Sequence, residues 1–260
     1  MGWTASIWRL TLNALAGRPR RTRLLALAVA ASTALLTSIA CALESLNVGL
    51  ERGVAGVIGA ADLRVKRVGE DRFDIGVQSQ FDGRAGVVGV APRARGAAAI
   101  SRAMGPGEPV RADPLSVQIM VTGIDPEREP VLGEQTILPG GRRVERAGEA
   151  VLDAITAAEL GVAVGDSLET QGTEALRWRV VGLTPGLPFK QIKRPEATVA
   201  LGSLWEVTGF PGRVNELLIV LEKGHDAEAL AKAWSEGLAK DLFVEPTAAI
   251  TTGIKRKAEA

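Results

Sequence analysis

The most regular stretch of the sequence reads GEAVLDAITAAELGVAVGDSLETQG at residues 148–172 and continues as WRVVGLT at residues 178–184. Three consecutive apolar residues, Ala150–Leu152, predict a short strand. Asp153 follows at once, and its carboxylate is suited to accept the free N–H groups at the start of a helix that runs to Leu160. Gly161 suits the end of that helix, because glycine readily adopts the left-handed conformation that closes many helices. The stretch therefore predicts a strand followed directly by a short helix.

The second half of the same stretch predicts a β-hairpin. A Gly-Asp turn at residues 165–166 leads into a strand at 167–170, and residues 176–183 supply the returning strand. Charged and apolar residues alternate along the returning strand, with Arg177 and Arg179 on one side and Leu176, Trp178 and Val180 on the other. Side chains of a strand point alternately to its two faces. We therefore expect a hairpin with one buried side, in a small β-rich subdomain.

Weaker patterns on either side extend this into a larger domain. Further strands are predicted at Asp62–Val68, Val117–Ile124, Thr198–Leu201 and Leu217–Leu221. A last helix is predicted at Asp226–Leu242, with Leu230, Trp234 and Leu238 on one face. Loops are expected where glycine, proline and charge dominate, at 69–86, 105–114 and 139–148. The fold class is therefore α+β, with helices packed against mostly antiparallel strands.

The N-terminal part of the chain predicts a membrane span. Residues 24–43, LLALAVAASTALLTSIACAL, carry no charge and form a helix about 30 Å long, the thickness of a bilayer's hydrocarbon core. Four basic residues precede the run, namely Arg18, Arg20, Arg21 and Arg23, and the first charge after it is Glu44. Positive charge collects on the cytoplasmic side of a span. The sequence thus predicts a cytoplasmic N-terminus, a span at 24–43 and an extracytoplasmic domain at 44–260.

Residues 1–23 predict a short amphipathic helix and a basic elbow on the cytoplasmic face, because Trp3, Ile7, Trp8, Leu12 and Leu15 recur with helical spacing. Pro19 is expected to end or kink that helix. Beyond the span, apolar residues keep a helical spacing as far as Gly59. The span is therefore expected to continue outward as a stalk helix.

The predicted span has two unlike faces. Every fourth residue of one strip is small: Ala26, Ala30, Ala34, Ser38 and Ala42. Small residues at this spacing allow a second helix to approach closely, whereas bulky aliphatic residues suit lipid. The strip predicts packing against other transmembrane helices, with an accident of alanine-rich composition as the alternative.

Two other roles are open for this segment. The apolar part of a cleaved signal peptide is about 7 to 15 residues long, shorter than the run seen here, and no clear A-x-A site follows. A lipoprotein anchor at Cys41 lacks the leucine usually found three residues earlier. We interpret Cys41 as a small residue within the helix.

Composition and motifs give no sign of catalysis or of a cofactor. A net charge of +1 offers no general reason for a nucleic-acid partner. One cysteine and one histidine, His225, cannot build a disulfide framework or a Cys/His zinc site. Neither a phosphate-binding G-x-x-x-x-G-K-[ST] motif nor a G-x-S-x-G nucleophile turn is present. We therefore expect no enzyme activity and no bound cofactor or metal.

Three sets of polar residues are candidates for catalytic or binding sites, and we interpret each of them as part of a solvated loop. They are His225 between Gly224 and Asp226, the carboxylates Asp71, Asp74 and Asp82, and the basic run Lys190, Lys193 and Arg194. The carboxylates lie in the stretch 69–86, where glycine and charge dominate, and are interpreted as groups that keep a loop solvated. For the basic run, contact with anionic lipid or with a partner protein is the alternative.

Three segments resemble the MacB/FtsX/LolC type of ABC transporter permease. They are IWRLTLNALAGRPRRTRLLALAVAASTALL at 7–36, GVIGAADLRV at 56–65, and the stretch 148–184 quoted above. They are similar, in turn, to the cytoplasmic helix with first span of this family, to the point where its stalk helix joins the periplasmic fold, and to part of its MacB-like periplasmic core domain. The resemblance covers nearly the whole chain through patterns of low specificity.

This resemblance implies a permease subunit in a bacterial plasma membrane. A separate cytosolic ABC ATPase and other transmembrane helices, or a second permease copy, are the implied partners. Members of the family extrude drugs or peptides, release lipoproteins or regulate wall hydrolases, and the sequence does not choose among these. They also carry further spans after the periplasmic domain, and no second long apolar run is present here. We therefore expect a fragment, a truncated frame or a split permease.

Two functions of other classes stay open. A single-span or secreted extracytoplasmic binding protein needs no ATPase partner, and neighbouring reading frames that lack an ABC ATPase and further spans would favour it. An envelope hydrolase requires a pocket with a reactive side chain, and the sequence shows no motif for one.

Overall fold

The computed structural model describes residues 19–104, 115–171, 175–185 and 195–248. The chain divides into two compact units, Met1–Arg52 and Gly53–Ala260. Its first described element is a long helix, α1, at Pro19–Ile58. The helix ends where the sequence predicts, because Gly59 follows it with a φ of +63°. Within the described part of the chain, no helix combines the length and the apolar character that crossing a membrane requires.

The second unit is built on one large mixed sheet. Five strands precede the helix at Ala154–Leu160 in the chain: β1 at Leu63–Arg67, β2 at Phe73–Asp74, β3 at Val87–Arg102, β4 at Ser116–Ile124 and β5 at Glu149–Asp153. Those after it are β6 at Ser167–Gln171, β7 at Arg177–Thr184, β8 at Glu196–Ala200, β9 at Arg213–Val214, β10 at Glu216–Leu221 and β11 at Leu242–Pro246. Nine of these strands follow the order β11-β1-β10-β3-β4-β8-β5-β7-β6, and β2 pairs with β9 apart from them.

Part of the sheet closes on itself. The end of β3 pairs with β6 through Ala99–Arg102, in addition to its pairing with β4. The strands β3, β4, β8, β5, β7 and β6 therefore form a ring, hereafter the barrel. Large buried side chains fill its interior, among them Ile100, Ile119, Leu152, Leu168 and Trp178. The barrel is thus a packed core and not a channel.

The remaining strands form an open sheet, β11-β1-β10, that joins the first half of β3. One of its faces carries Leu63, Val65, Leu217 and Ile219 into the same continuous core. Helix α4, Ala227–Glu236, packs against β11 and brings Trp234 onto Phe81 at a centroid distance of 5.6 Å. Helix α3, Leu201–Thr208, packs against β3, β4 and β8.

The α+β fold class and the elements predicted within residues 148–184 are confirmed. The helix of that stretch, α2, runs from Ala154 to Leu160; the Asp153 carboxylate accepts hydrogen bonds at its start, and Gly161 ends it with a φ of +65°. Strands β6 and β7 form the predicted hairpin, with Arg177 and Arg179 exposed and Trp178 buried. Most pairings are antiparallel, and two, β4 with β8 and β5 with β7, are parallel.

The prediction of one helix from Asp226 to Leu242 was wrong in its extent. Asp226 caps α4 as expected, but the helix ends at Glu236, and Leu242 begins β11. Gly237 interrupts the helix because glycine loses more conformational freedom in a helix than any other residue. The predicted loop at 69–86 also contains β2 and two short 3₁₀ helices, Val68–Glu70 and Ile75–Gln80. The expected breaks at 105–114 lie outside the described residues.

The long strand β3 has no counterpart among the sequence predictions. Its 16 residues are rich in alanine and glycine and include Pro92, all of which are unfavourable in strands. Proline has no backbone N–H to donate. Pro92 is tolerated because β4 pairs with β3 only from Arg93 onward, so no residue of β4 needs a hydrogen bond from position 92. Small residues are needed at Gly96, where an added Cβ would lie 2.8 Å from Thr208 and 3.2 Å from Leu204. Close packing of α3 therefore explains a composition that does not predict a strand.

The outer edge of β11 is closed to further strands. The N–H of Val244 donates to the hydroxyl of Ser235 at 2.9 Å, and the N–H of Leu242 donates to the carbonyl of Ala239 at 2.8 Å. Pro246 has no N–H to offer. An unprotected edge strand is a template for pairing with another chain. The donors on this edge are satisfied within the domain.

Candidate functional site

The arginines that predict membrane topology lie at the start of α1. Arg20, Arg21 and Arg23 are exposed, and Arg18 lies outside the described residues together with the predicted amphipathic helix. Nothing in the structure tests their role, so their assignment as topology determinants stays a prediction.

The small-residue strip lies on α1 and is exposed along its whole length, from Ala26 through Ala30, Ala34 and Ser38 to Ala42. The aliphatic residues of the same segment are exposed as well: Leu24, Leu27, Val29, Leu35, Leu36 and Ile39 are between 49% and 70% exposed. A contiguous apolar surface of this kind marks a site of contact with protein or lipid. Cys41 is likewise exposed and carries a free thiol.

Three of the four hydroxyl groups in residues 24–43 are bonded within the helix. Ser32 donates to the carbonyl of Ala28, Thr33 to that of Val29 and Thr37 to that of Thr33, each at 2.8 Å. A hydroxyl bonded in this way presents less unsatisfied polarity to its surroundings. The three hydroxyl groups are thus compatible with an apolar environment.

Of the three candidate carboxylates, Asp71 is exposed, and Asp74 and Asp82 have structural partners. Asp74 accepts a hydrogen bond from the N–H of Gly76 at 2.7 Å, and Asp82 accepts from Arg128 at 2.9 Å. His225 is exposed, and its Nδ1 lies 3.2 Å from the carbonyl oxygen of Glu222. The basic run at 190, 193 and 194 lies outside the described residues. Across the described ranges, no three potential metal ligands come together in one group.

The structure reveals a charged groove on the outer face of the open sheet. It has a volume of about 320 Å³ and is lined by Arg64, Lys66, Glu70, Arg95, Met120, Asn215 and Glu216. We call these residues, with Glu245 of the neighbouring strand, the ionic face. Strand β1 places Arg64 and Lys66 on this face and buries Leu63 and Val65 on the other.

Glu216 is the centre of the ionic face. Its side chain is only 6% exposed, and its two oxygens contact Arg64 at 3.3 Å and Arg95 at 3.0 Å. Arg64 also contacts Glu245 at 2.5 Å, and Lys66 reaches the same carboxylate at 3.3 Å. Each of these charged side chains thereby contacts one of opposite sign, as buried charges require. The ionic face is thus a network of paired charges.

A second buried carboxylate lies at the start of β5. Glu149 accepts two hydrogen bonds from Arg142, at 2.8 and 2.5 Å, and one from Arg146 at 2.9 Å. The hydrogen bonds from Arg142, together with those from the Glu145 N–H and Arg146, lower the pKa of Glu149 to about 2 against the effect of its burial. Contact with the same carboxylate raises the pKa of Arg142. This pair stays ionised at neutral pH and fixes the polar stretch before β5.

Residues 138–148, which include that polar stretch, lie across β7, and we call them the strap. Leu138 and Arg142 donate backbone hydrogen bonds to Leu183 and Val181, at 2.7 and 2.8 Å. The approach is close because Gly182 has no side chain: a Cβ added there would overlap the carbonyl oxygen of Arg142. The stretch predicted as a loop is therefore an ordered part of the barrel wall.

The sequence alone does not identify the ionic face. It predicts only that Asp62–Val68 forms a strand, and β1 confirms that strand and places Arg64 and Lys66 on one face of it. Their acidic partners, Glu216 and Glu245, lie about 150 to 180 residues further along the chain. No local pattern links residues at such a separation, so the network becomes visible only from the strand order.

Comparison with solved structures finds proteins that share this fold. The structure is similar to the periplasmic region of MacB from Actinobacillus actinomycetemcomitans, with a TM-score of 0.58, 12% identity, and coverage of 79% of this chain and 97% of that one. It is also similar to the extracellular domain of the ABC-type transporter YknZ from Gram-positive bacteria, with a TM-score of 0.48, 12% identity, and coverage of 71% and 98%. No described protein family matches the sequence, and neither does any curated protein.

The chain therefore has the fold of the MacB periplasmic region. At 12% identity the likeness establishes the fold and leaves the activity to be argued from the chain itself.

Proposed function

We propose that this chain is part of the permease subunit of an ABC-type transporter or mechanotransmission complex, without a catalytic step of its own. In this proposal residues 24–43 span the bacterial plasma membrane, and the second unit lies outside the cytoplasm. A separate cytosolic ATPase supplies the energy. The observation that carries the proposal is the fold itself, which matches 97% of the MacB periplasmic region.

The proposed span is supported by the sequence, because none of the twenty residues from Leu24 to Leu43 is charged. The exposed aliphatic residues of α1 need lipid or other helices to cover them. The exposed arginines at its start favour a cytoplasmic N-terminus. Small side chains on one strip would let neighbouring transmembrane helices, or a second copy of the permease, approach closely.

The proposed role is mechanical. A continuous helix transmits displacement, whereas a flexible tether dissipates it. Helix α1 is continuous from Pro19 to Ile58, beyond the end of the proposed span. We propose that it carries motion driven by the ATPase from the membrane toward the folded domain. A catalytic side chain is not needed for this role.

Reporter fusions test the topology directly. A reporter active only in the cytoplasm is placed at Thr4, and one active only outside is placed after Ala248. We expect both to be active in the same cells. A matched variant with Arg20, Arg21 and Arg23 changed to glutamate is expected to lose this orientation, because the positive flank directs it. Finding both ends on one side in the unaltered chain contradicts the proposal.

The ATPase partner is tested by neighbouring reading frames and by association. An ABC ATPase encoded beside this chain is expected to remain with it when membranes are solubilised in mild detergent. Loss of that association after removal of residues 1–23 supports a cytoplasmic contact. The absence of any ABC ATPase among the neighbouring frames would favour the extracytoplasmic binding protein instead.

A further inference from the structure

The residues that begin the domain after α1 are held by an unusual number of hydrogen bonds. The N–H of Ala60 donates to the carbonyl of Leu132 at 2.8 Å. Gly59 makes this approach possible, because a Cβ added to it would overlap the same carbonyl oxygen. The end of α1 is thereby fixed to the short 3₁₀ helix Glu129–Leu132.

Asp62 fixes the same segment to β10. Its N–H donates to the carbonyl of Ile219 at 2.9 Å, and its carboxylate accepts from the N–H of Leu221 at 2.8 Å. The register between β10 and β3 shifts at Val220/Leu221, and β1 pairs with β10 only as far as Leu63 and Ile219. The Asp62 side chain therefore supplies an acceptor beyond the point where the β1 ladder ends.

Thr247 joins the other end of the domain to the same place. Its N–H donates to the carbonyl of Asp62 at 2.9 Å, and its hydroxyl donates to the carbonyl of Ala61 at 2.6 Å. Thr247 directly follows β11, so the segment before β1 and the residue after β11 lie side by side. A small apolar cluster of Ala61, Ala91, Leu132 and Leu218 is buried beneath these bonds.

We propose that Asp62 and Thr247 form a clamp that makes the two ends of the domain move as one body. The clamp consists of the hydrogen bonds that join residues 60–62 to Leu132, Ile219, Leu221 and Thr247. Displacement of the last turn of α1 then reaches β10 and the end of β11 at Thr247 together. In the context of the proposed permease, which this inference builds on, Asp62 is the positioning residue that passes motion into the sheet.

A clamp differs from independent local bonds because its members are coupled. Coupling between two sites is reciprocal, so the effect of losing the Asp62 bond on the Thr247 bond equals the effect of losing the Thr247 bond on the Asp62 bond. Residues that act as one unit also show non-additive effects when they are changed together. Both properties can be measured in the folded chain without any partner.

The test is amide hydrogen exchange on the full chain in mild detergent, comparing Asp62→Ala, Thr247→Val and the double variant. Asp62→Ala removes an acceptor of charge-assisted bonds, and we expect about tenfold faster exchange at the Leu221 amide and at the Thr247 amide. Thr247→Val keeps the backbone and the shape of the side chain. We expect it to speed exchange at Leu221 and Ala60, with less than additive change in the double variant.

Asp62→Asn serves as the control, because its side-chain oxygen still accepts from Leu221. It is expected to exchange more slowly than Asp62→Ala at both amides. Unchanged exchange at Leu221 in Thr247→Val overturns the clamp, as does a uniform rise that includes Trp178 in the barrel. Because Thr247→Val alone decides this point, misfolding of Asp62→Ala leaves the test intact. Failure of the topology test leaves the exchange result standing, so the two proposals fail separately.

Discussion

The barrel and the open sheet share one core but are built from different kinds of contact. In the barrel, β5, α2, β6 and β7 follow one another within residues 149–184, and apolar side chains fill the interior. In the open sheet, β1 pairs with β10 and β11 from the far end of the chain, and charged side chains cover the outer face. The comparison teaches that local pattern specifies the part of the barrel at residues 149–184, whereas long-range pairing of charge and backbone specifies the open sheet.

The largest expected effect is the loss of the barrel's central side chain. Trp178 is 1% exposed, so Trp178→Ala leaves a cavity and is expected to lower the free energy of unfolding by about 3–5 kcal/mol. Urea denaturation followed by circular dichroism measures the change. Arg177→Ala, on the exposed side of the same strand, is expected to change it by less than about 0.5 kcal/mol. Similar losses from both variants would mean that the barrel interior does not dominate stability.

The next effect tests the close approach of the strap to the barrel wall. Gly182→Ala places a methyl group against the Arg142 carbonyl and is expected to destabilise the domain by about 1–3 kcal/mol. Gly202→Ala is the matched control, since no atom lies within 4 Å of its added Cβ and it sits in α3. That control is expected to be neutral or stabilising by up to about 1 kcal/mol. Equal unfolding temperatures for the two variants would show that the strap shifts to make room for the methyl group added at Gly182.

The buried carboxylate of the barrel gives a pH-dependent effect. Because the folded-state pKa of Glu149 is lowered from 4.5 to about 2, its contribution to stability is present above about pH 4.5 and is lost as the pH falls toward 2. Glu149→Gln is expected to lower the free energy of unfolding at pH 7 by about 1–3 kcal/mol and to flatten the acid side of the profile. Glu145→Gln, whose side chain is 63% exposed, is expected to keep the original profile. Denaturation curves between pH 2 and 7 decide between them.

The smallest effect concerns the edge of the open sheet. Ser235→Ala removes the hydroxyl bonded to the Val244 N–H and is expected to cost about 0.5–1.5 kcal/mol. It also exposes a strand edge, so concentration-dependent association measured by sedimentation is expected to increase. Ser79→Ala, which removes a hydroxyl bond in an exposed turn, is expected to leave both measurements unchanged. A monomeric Ser235→Ala protein would show that α4 alone protects the edge.

The same contrast explains what the sequence could and could not predict. Asp153, Gly161 and the alternation around Trp178 act within a few residues, so strand, helix and hairpin are predicted correctly. Strand β3 is missed because alanine and glycine serve its packing against α3 and obscure its strand character. The predicted extent of α4 is wrong. The apolar spacing continues to Leu242, but the helix ends before Gly237.

The candidate sites divide in the same way. The strand at Asp62–Val68 is predicted, but the ionic face is not, because Glu216 and Glu245 reach Arg64 only through the strand order. The clamp is invisible in sequence for the same reason, since Asp62 and Thr247 are brought together by folding alone. The topology arginines and the small-residue strip of α1 stay predictions that the fusion experiment tests.

Strand β3 bears on how this domain can be divided. Its first half belongs to the open sheet and its second half closes the barrel, so residues 87–102 are part of both regions. A cut on either side of β3 would leave one region with this strand and the other without it. We therefore expect that neither region folds as a separate smaller piece.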